Sequence, residues 1–258
     1  MLKKLIKYDL KYGAKIFIVI HALLWIAAIF GRVFFLDRID FDAPTEQLVS
    51  VLVLFFSAFV LLFSVVSLAT ALLIAARFYK NLFTDEGYLT WTLPASPVQQ
   101  LWAKILSGCI WNILDLILLY SATYFMWISP NVQNAYRMIA AEFTASLGMP
   151  LSKFFLLMVL LSIIGVGSNV LMLYASISIG QLFPAHRLLL SVIVYFIFYM
   201  IIYALSMGAL IIFKLLPGIA LSANTVNEAA SMSTYLTGTF LISLVLSAVM
   251  AVIQYVIT

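Results

Sequence analysis

Long apolar runs broken by short polar ones set the character of this chain. Six runs are each able to span a hydrocarbon core of roughly 30 Å, which takes about 20 helical residues. They cover 16–36, 48–76, 101–128, 151–183, 188–213 and 235–257. The second and fourth are longer than one crossing needs, so they tilt, kink or project past the bilayer. Gly165, Gly167 and Gly180 mark the fourth as the one to bend. The first run follows basic residues, as a signal peptide does. It is too long for that and no A-x-A-like site follows, so it reads as a retained span. The pattern predicts an all-α, polytopic membrane protein, with one transmembrane domain over 1–258.

Residues 1–15 form a different pattern. At 100° per residue, Lys3, Lys4, Lys7, Lys11 and Lys15 share an arc of about 120°. Leu2, Leu5, Ile6, Leu10, Tyr12 and Ile16 fill the other side. This predicts an amphipathic interfacial helix with its lysines toward anionic headgroups, or more simply a topology signal. Asp9 falls in the apolar arc and points to a protein contact.

Composition agrees with a membrane solvent. The chain is 65% hydrophobic and 9% charged, with a mean hydropathy of +1.15. The net charge of +4 lies in short segments between apolar runs, where it reports topology, so no nucleic-acid partner is expected. With one cysteine, Cys109, and two distant histidines, His21 and His186, neither an intrachain disulfide nor a metal site is expected. With the N-terminus inside, nine Lys/Arg lie on inner segments: Lys3, Lys4, Lys7, Lys11, Lys15, Arg77, Lys80, Lys104 and Arg187. Five lie on outer ones: Arg32, Arg38, Arg137, Lys153 and Lys214. The excess places both termini in the cytoplasm.

The longest inner segment, 77–100, mixes Phe78, Tyr79, Phe83, Tyr88 and Trp91 with Arg77, Lys80, Asp85 and Glu86. A linker is Gly/Ser-rich and lacks aromatics, whereas aromatics among charges suit a docking surface. An interfacial aromatic belt accounts for Trp91 and Trp102 but not for the acidic pair. Thr84 is placed to N-cap a short helix opening with Asp85 and Glu86. Pro94 ends it, and Ser96-Pro97 is a cap followed by a first-turn proline that starts the third span.

The stretch R-F-Y-K-N-L-F-T-D-E-G-Y-L-T-W-T-L-P-A-S-P, Arg77 to Pro97, resembles the loop between the second and third spans of Gram-positive bacterial ABC exporter permeases. Their pattern is close to R-F-Y-K-x-L-x-x-D-E-G-Y-L-x-x-T-L-P-V-S, and Ala95 departs from its valine. The run Tyr174 to Phe183, followed by His186-Arg187, is similar to the family's fourth span and its exit. The resemblance implies a six-span, type V exporter fold. It implies that 77–100 holds a coupling helix docking on a separate ATPase, with Phe78, Tyr79, Phe83, Asp85, Glu86, Gly87, Tyr88 and Arg187 at or beside that contact. It also implies two ATPase copies carrying ATP and magnesium, and a second permease copy or a paralogue. Phe55, Phe59, Phe63, Tyr199 and Tyr203 would line a central cavity. The segment between the last two spans resembles a shortened re-entrant element. No G-x-x-x-x-G-K-[ST] occurs, since Tyr8 stands where the first glycine would precede Gly13-Ala14-Lys15, so no cofactor is expected in this chain.

Asp115 is the one acid well inside a span, with Asn112 a turn earlier on the same face. A charge there costs about 2.5–3.5 kcal/mol on insertion scales, so it faces protein or water. Either it lines a pathway or holds a dimer, or it bonds to another span. Asn169, among the small residues of the fourth span, reads mainly as a packing contact. His21 reads as a satisfied structural residue. The leading expectation is a permease subunit of an ATP-driven exporter for an amphipathic or lipophilic cargo such as a peptide toxin, antimicrobial peptide, lantibiotic or drug. The alternative is a secondary transporter, or an ion (sodium) exporter or channel, with no ATPase. That reading predicts ionisable relays or inverted repeats, and neither is evident. An intramembrane enzyme would need an H-E-x-x-H, a G-x-S-x-G or a second acid beside Asp115, and none is present.

Overall fold

A computed structural model describes residues 1–40, 45–215 and 232–258. Among these residues the regular structure is all helical: α1 Leu2–Gly31, a π-helical turn Arg32–Leu36, α2 Thr45–Phe83, α3 Asp85–Trp91, α4 Pro97–Trp127, α5 Pro130–Leu147, α6 Leu151–Gly180, α7 Arg187–Ile212 and α8 Met232–Ile257. Six stretches are long and apolar enough to cross a membrane: Leu2–Leu36, Leu48–Phe83, Pro97–Trp127, Leu151–Gly180, Arg187–Ile212 and Ser233–Ile257. They match the six runs expected from sequence.

The ends of these helices correct several boundaries. No break separates 1–15 from 16–36: α1 is continuous from Leu2. No proline or cap interrupts it, and Gly13 packs against the Trp111 indole. α2 does not stop at residue 76 but runs to Phe83. Arg77, Phe78, Tyr79 and Phe83 therefore belong to its last two turns and not to a loop. Nothing between Ala75 and Phe83 breaks a helix, and polarity alone does not end one. α6 stays α-helical through Gly165 and Gly167 and ends at Gly180, short of residue 183. α5 was not expected. It follows α4 after only Ile128 and Ser129, and Pro130 suits its first position. The expected re-entrant element, within 214–234, falls almost wholly outside the described residues.

The chain divides into two compact units, Met1–Ala140 and Ala141–Thr258, with the division inside α5. In the first, α1 packs along α4 and both pack on α2. Leu24, Ala28, Leu36, Phe55, Val66, Ala122 and Met126 form its apolar core. The Phe35 and Phe55 rings stack with centroids 4.3 Å apart. A Cβ on Gly31 would come within 2.7 Å of the Phe59 ring, so this glycine permits the close crossing of α1 and α2.

Lipid is as apolar as leucine, so apolar faces alone do not select a register between helices in a bilayer. Polar rungs do so here. Lys104 reaches Asp9, Asp115 reaches His21, Arg32 donates to the Phe125 carbonyl at 2.9 Å, and Ser129 donates to Asp37. The paired positions are 95, 94, 93 and 92 residues apart in sequence. Sequence numbers rise together along both helices, so α1 and α4 run parallel in one nearly constant register. In the second unit, α6 packs on α7 and α8, which also pack on each other.

Candidate functional site

The candidate site is the short helix α3 with the ionic cluster that anchors it. α2 ends at Phe83 and the backbone of Thr84 is extended, with φ −119° and ψ −172°. The sequence placed Thr84 at this cap, and its position is right. Its side chain behaves otherwise: the hydroxyl donates to the Lys80 carbonyl at 2.5 Å and caps nothing in α3. The last carbonyls of α2 have no helical partner, and a threonine four residues on satisfies one. Gly87 then lets the chain reverse closely, since a Cβ there would lie 2.8 Å from the Leu82 carbonyl oxygen. α3 ends at Trp91, before Pro94. Ser96 caps α4 as expected, its hydroxyl oxygen accepting from the Gln99 amide at 3.3 Å, with Pro97 in the first turn. Gln100 ties α4 back to α3 by donating to the Thr90 carbonyl at 3.0 Å.

Beneath α3 lies a buried charge cluster. The Asp9 carboxylate, 5% exposed, accepts from Lys104 Nζ at 2.5 and 2.6 Å. It also accepts from Arg77 Nε at 3.1 Å and Asn81 Nδ2 at 3.4 Å. Arg77 turns its other edge to α3, with Nη1 3.6 Å from Glu86 Oε2. Its guanidinium lies over the Tyr12 ring at 4.1 Å. Lys80 closes the outer side of Glu86 at 3.1 Å. One arginine thus joins α3 to α1, and one lysine joins α1 to α4. A cavity of about 220 Å³ sits among these groups, with Gln100, Thr90 and Leu93 also on its wall.

α3 turns an apolar-acidic face outward. Tyr88 is 76% exposed, Leu89 67% and Trp91 55%, and Asp85 is exposed beside them. The other expected contact residues divide. Phe78 is 1% exposed and packs inside the unit, its ring 5.8 Å from that of Phe83, so it is unable to touch a partner directly. Gly87 is buried, and Tyr79, Phe83 and Glu86 are half-buried. Arg187 is exposed at the first position of α7, in the second unit.

A second polar cluster lies deeper in the same helices. Asp115, 2% exposed, accepts from Ser67 at 2.9 Å and Thr70 at 3.0 Å, and its Oδ1 lies 2.8 Å from His21 Nε2. His21 Nδ1 lies 2.9 Å from the Phe17 carbonyl, which only accepts, so Nδ1 carries a proton. Asp115 therefore bonds to other spans, one of the two readings its sequence allowed, through partners from α1 and α2. Asn112 and Asn169 are half-buried.

The five aromatics expected to line a cavity divide between the two units. Phe55 is buried in the core of the first unit, with Phe59 and Phe63 packed against that core. Tyr199 and Tyr203 belong to the second unit, each 54% exposed on α7. Among the described residues no three His, Cys, Asp or Glu side chains gather as a metal site. Sequence reasoning missed Arg77, Asn81, Gln100 and Lys104 as one assembly. Asp9 in an apolar arc was the available signal, and Lys104 four residues into an apolar run was its match.

No protein-family model, no curated protein and no solved structure matches this chain.

Proposed function

We propose that the chain is the permease subunit of an ATP-driven exporter, and that α3 is the element through which a separate ATPase acts on it. The observation that carries this is the exposed face of Tyr88, Leu89 and Trp91 on a seven-residue helix braced to α2 by Arg77 and Lys80 and to α4 by Gln100. A helix of that length has little stability alone. Braced ionically, with aromatics turned to solvent, it suits a rigid docking knob. The resemblance of Arg77–Pro97 to exporter permeases supplies the identity of the partner: an ABC ATPase, two copies to a pair of permeases, holding ATP and magnesium. In this reading the spans lie in a bacterial cell membrane with both termini cytoplasmic. The lysine-rich first turns of α1 rest at the inner surface, and the cargo is amphipathic or lipophilic.

The test is co-purification with an ABC ATPase expressed from the same locus. Tyr88→Ala with Trp91→Ala should cut capture at least tenfold without changing the elution of the permease, because both side chains are exposed. Undiminished capture by that double variant would remove α3 from the contact. Failure of the wild type to capture any ATPase would end the reading. A secondary transporter then becomes the better account, with the buried His21–Asp115 pair as an ionisable feature within its spans.

A further inference from the structure

The second unit contains a groove of about 840 Å³ between α7 and α8. Its wall changes character along α8. Ser233, Thr234 and Thr237 line the first turns, and Leu241, Val245 and Leu246 line the stretch beyond. Phe213 and Leu215 close the α7 side. Ser233 to Leu246 covers about 20 Å of helix rise, close to one leaflet's share, roughly 15 Å, of a hydrocarbon core. The hydroxyl-bearing end lies where that membrane-length helix begins, and the apolar part follows along it. Leu241 and Val245 are each 58% exposed, so the groove opens sideways. A stable water needs two to four polar partners, and the deep wall supplies none from its leucine and valine side chains.

We infer that this groove is a phospholipid site, holding one acyl chain along Leu241–Leu246 with the lipid's polar end beside Ser233, Thr234 and Thr237. The volume lies within the range of small-molecule sites, and the polar-to-apolar order of the wall matches a lipid lying in its own leaflet. Among the described residues the lining includes no charged side chain, and retention is assigned to chain packing. The inference needs only that α7 and α8 cross a bilayer, and it is independent of any ATPase partner.

The experiment places the protein in nanodiscs of phosphatidylglycerol and phosphatidylethanolamine doped with a phospholipid carrying a diazirine on its acyl chain. Photolysis and peptide mass spectrometry then map the adducts. Adducts on 241–246 should exceed those on the exposed α7 stretch 196–203 at least fivefold. Val245→Trp, which fills the groove, should bring them down to the level of 196–203 and leave that stretch unchanged. Even labelling of both stretches in the wild type overturns the inference, whether or not the tryptophan variant folds. So does enrichment that survives in a monodisperse Val245→Trp protein.

Discussion

Replacing Asp9 with asparagine tests whether the ionic cluster holds the first unit together. Lys104 Nζ lies 2.5 and 2.6 Å from the two carboxylate oxygens, with both side chains almost wholly excluded from solvent at 6% and 5% exposure. Asparagine keeps the shape but removes the negative charge. It leaves a buried ammonium without its counter-ion and turns an N–H₂ toward donors on one side or the other. Removing one partner of a buried pair costs about 3–5 kcal/mol. Each 1.4 kcal/mol is a factor of ten, so the folded-to-unfolded ratio should fall by two to four orders of magnitude. Arg77 limits the loss, because Glu86 remains 3.6 Å away on its other edge. The double variant Asp9→Leu with Lys104→Met should recover most of the loss, since replacing both charges by apolar groups of similar volume is often neutral or better. Steric-trap unfolding in bicelles measures Asp9→Asn, the double variant and its two singles, Asp9→Leu and Lys104→Met, against wild type. If the single variant costs under about 1 kcal/mol, or the double variant costs the sum of the two singles, the pair does not anchor α1 to α4 and the argument is wrong.

Ser67→Ala and Thr70→Ala each remove one donor to Asp115 and should cost about 0.6–1.7 kcal/mol, read by the same unfolding assay. Their double variant should exceed that sum, because a buried carboxyl loses both hydroxyls. Gly87→Val must displace α3 from Leu82. ATPase capture should fall at least tenfold while the melting temperature of the spans changes little, and unchanged capture would show that the position of α3 does not matter. One alanine inserted after Lys15 advances the rest of α1 by about 1.5 Å and 100° and breaks the rungs at His21, Arg32 and Asp37 together. A second insertion after Asn112 in α4 should restore part of the thermal stability, and no recovery would refute the shared register. Phe55→Ala should cost about 3–5 kcal/mol by opening the core beneath Phe35 and Phe59.

The membrane character of this chain was legible because it depends on run length alone. Twenty apolar residues in sequence need a crossing helix whatever surrounds them. Boundaries were less legible. α2 continues to Phe83 because a helix ends where caps or breakers end it and not where charge begins. α5 escaped notice because its apolar positions are short, scattered and interrupted by Asn134, Arg137 and Glu142. Ser96 was read correctly as a cap, since a cap followed by proline is a local signal. Thr84 was read only in position, because its hydroxyl had a choice of partners and the end of α2 supplied the nearer one. The cluster around Asp9 needed tertiary knowledge. Its other members stand 68 to 95 residues from Asp9, and no local pattern joins Asp9 to Arg77 or Lys104. What the sequence did carry was the anomaly, an acid on the wrong side of a lysine-edged helix.

The two polar clusters also bear on how transport would be driven. An ion-coupled transporter needs an ionisable group that meets water on at least one side and changes partners during the cycle. Among the described residues the buried acidic and basic side chains are Asp9, His21, Lys104 and Asp115, and each is bound to another of the four or to nearby hydroxyls, amides and carbonyls. Their bonds are also the rungs that fix α1 against α4, so breaking them for each transported ion would dissolve the register of the unit. Groups that hold helices in place are poor shuttles. Driving force is better delivered from outside the bilayer, to a part whose movement leaves the rungs intact. α3 meets that requirement: Arg77 and Gln100 tie it to the pinned helices, and Tyr88, Leu89 and Trp91 face away from them. A load applied there would reach α1 through the Arg77 guanidinium at Asp9 and α4 through Gln100. This physical ground, separate from any sequence pattern, supports the partner-driven reading proposed above over an ion-coupled one.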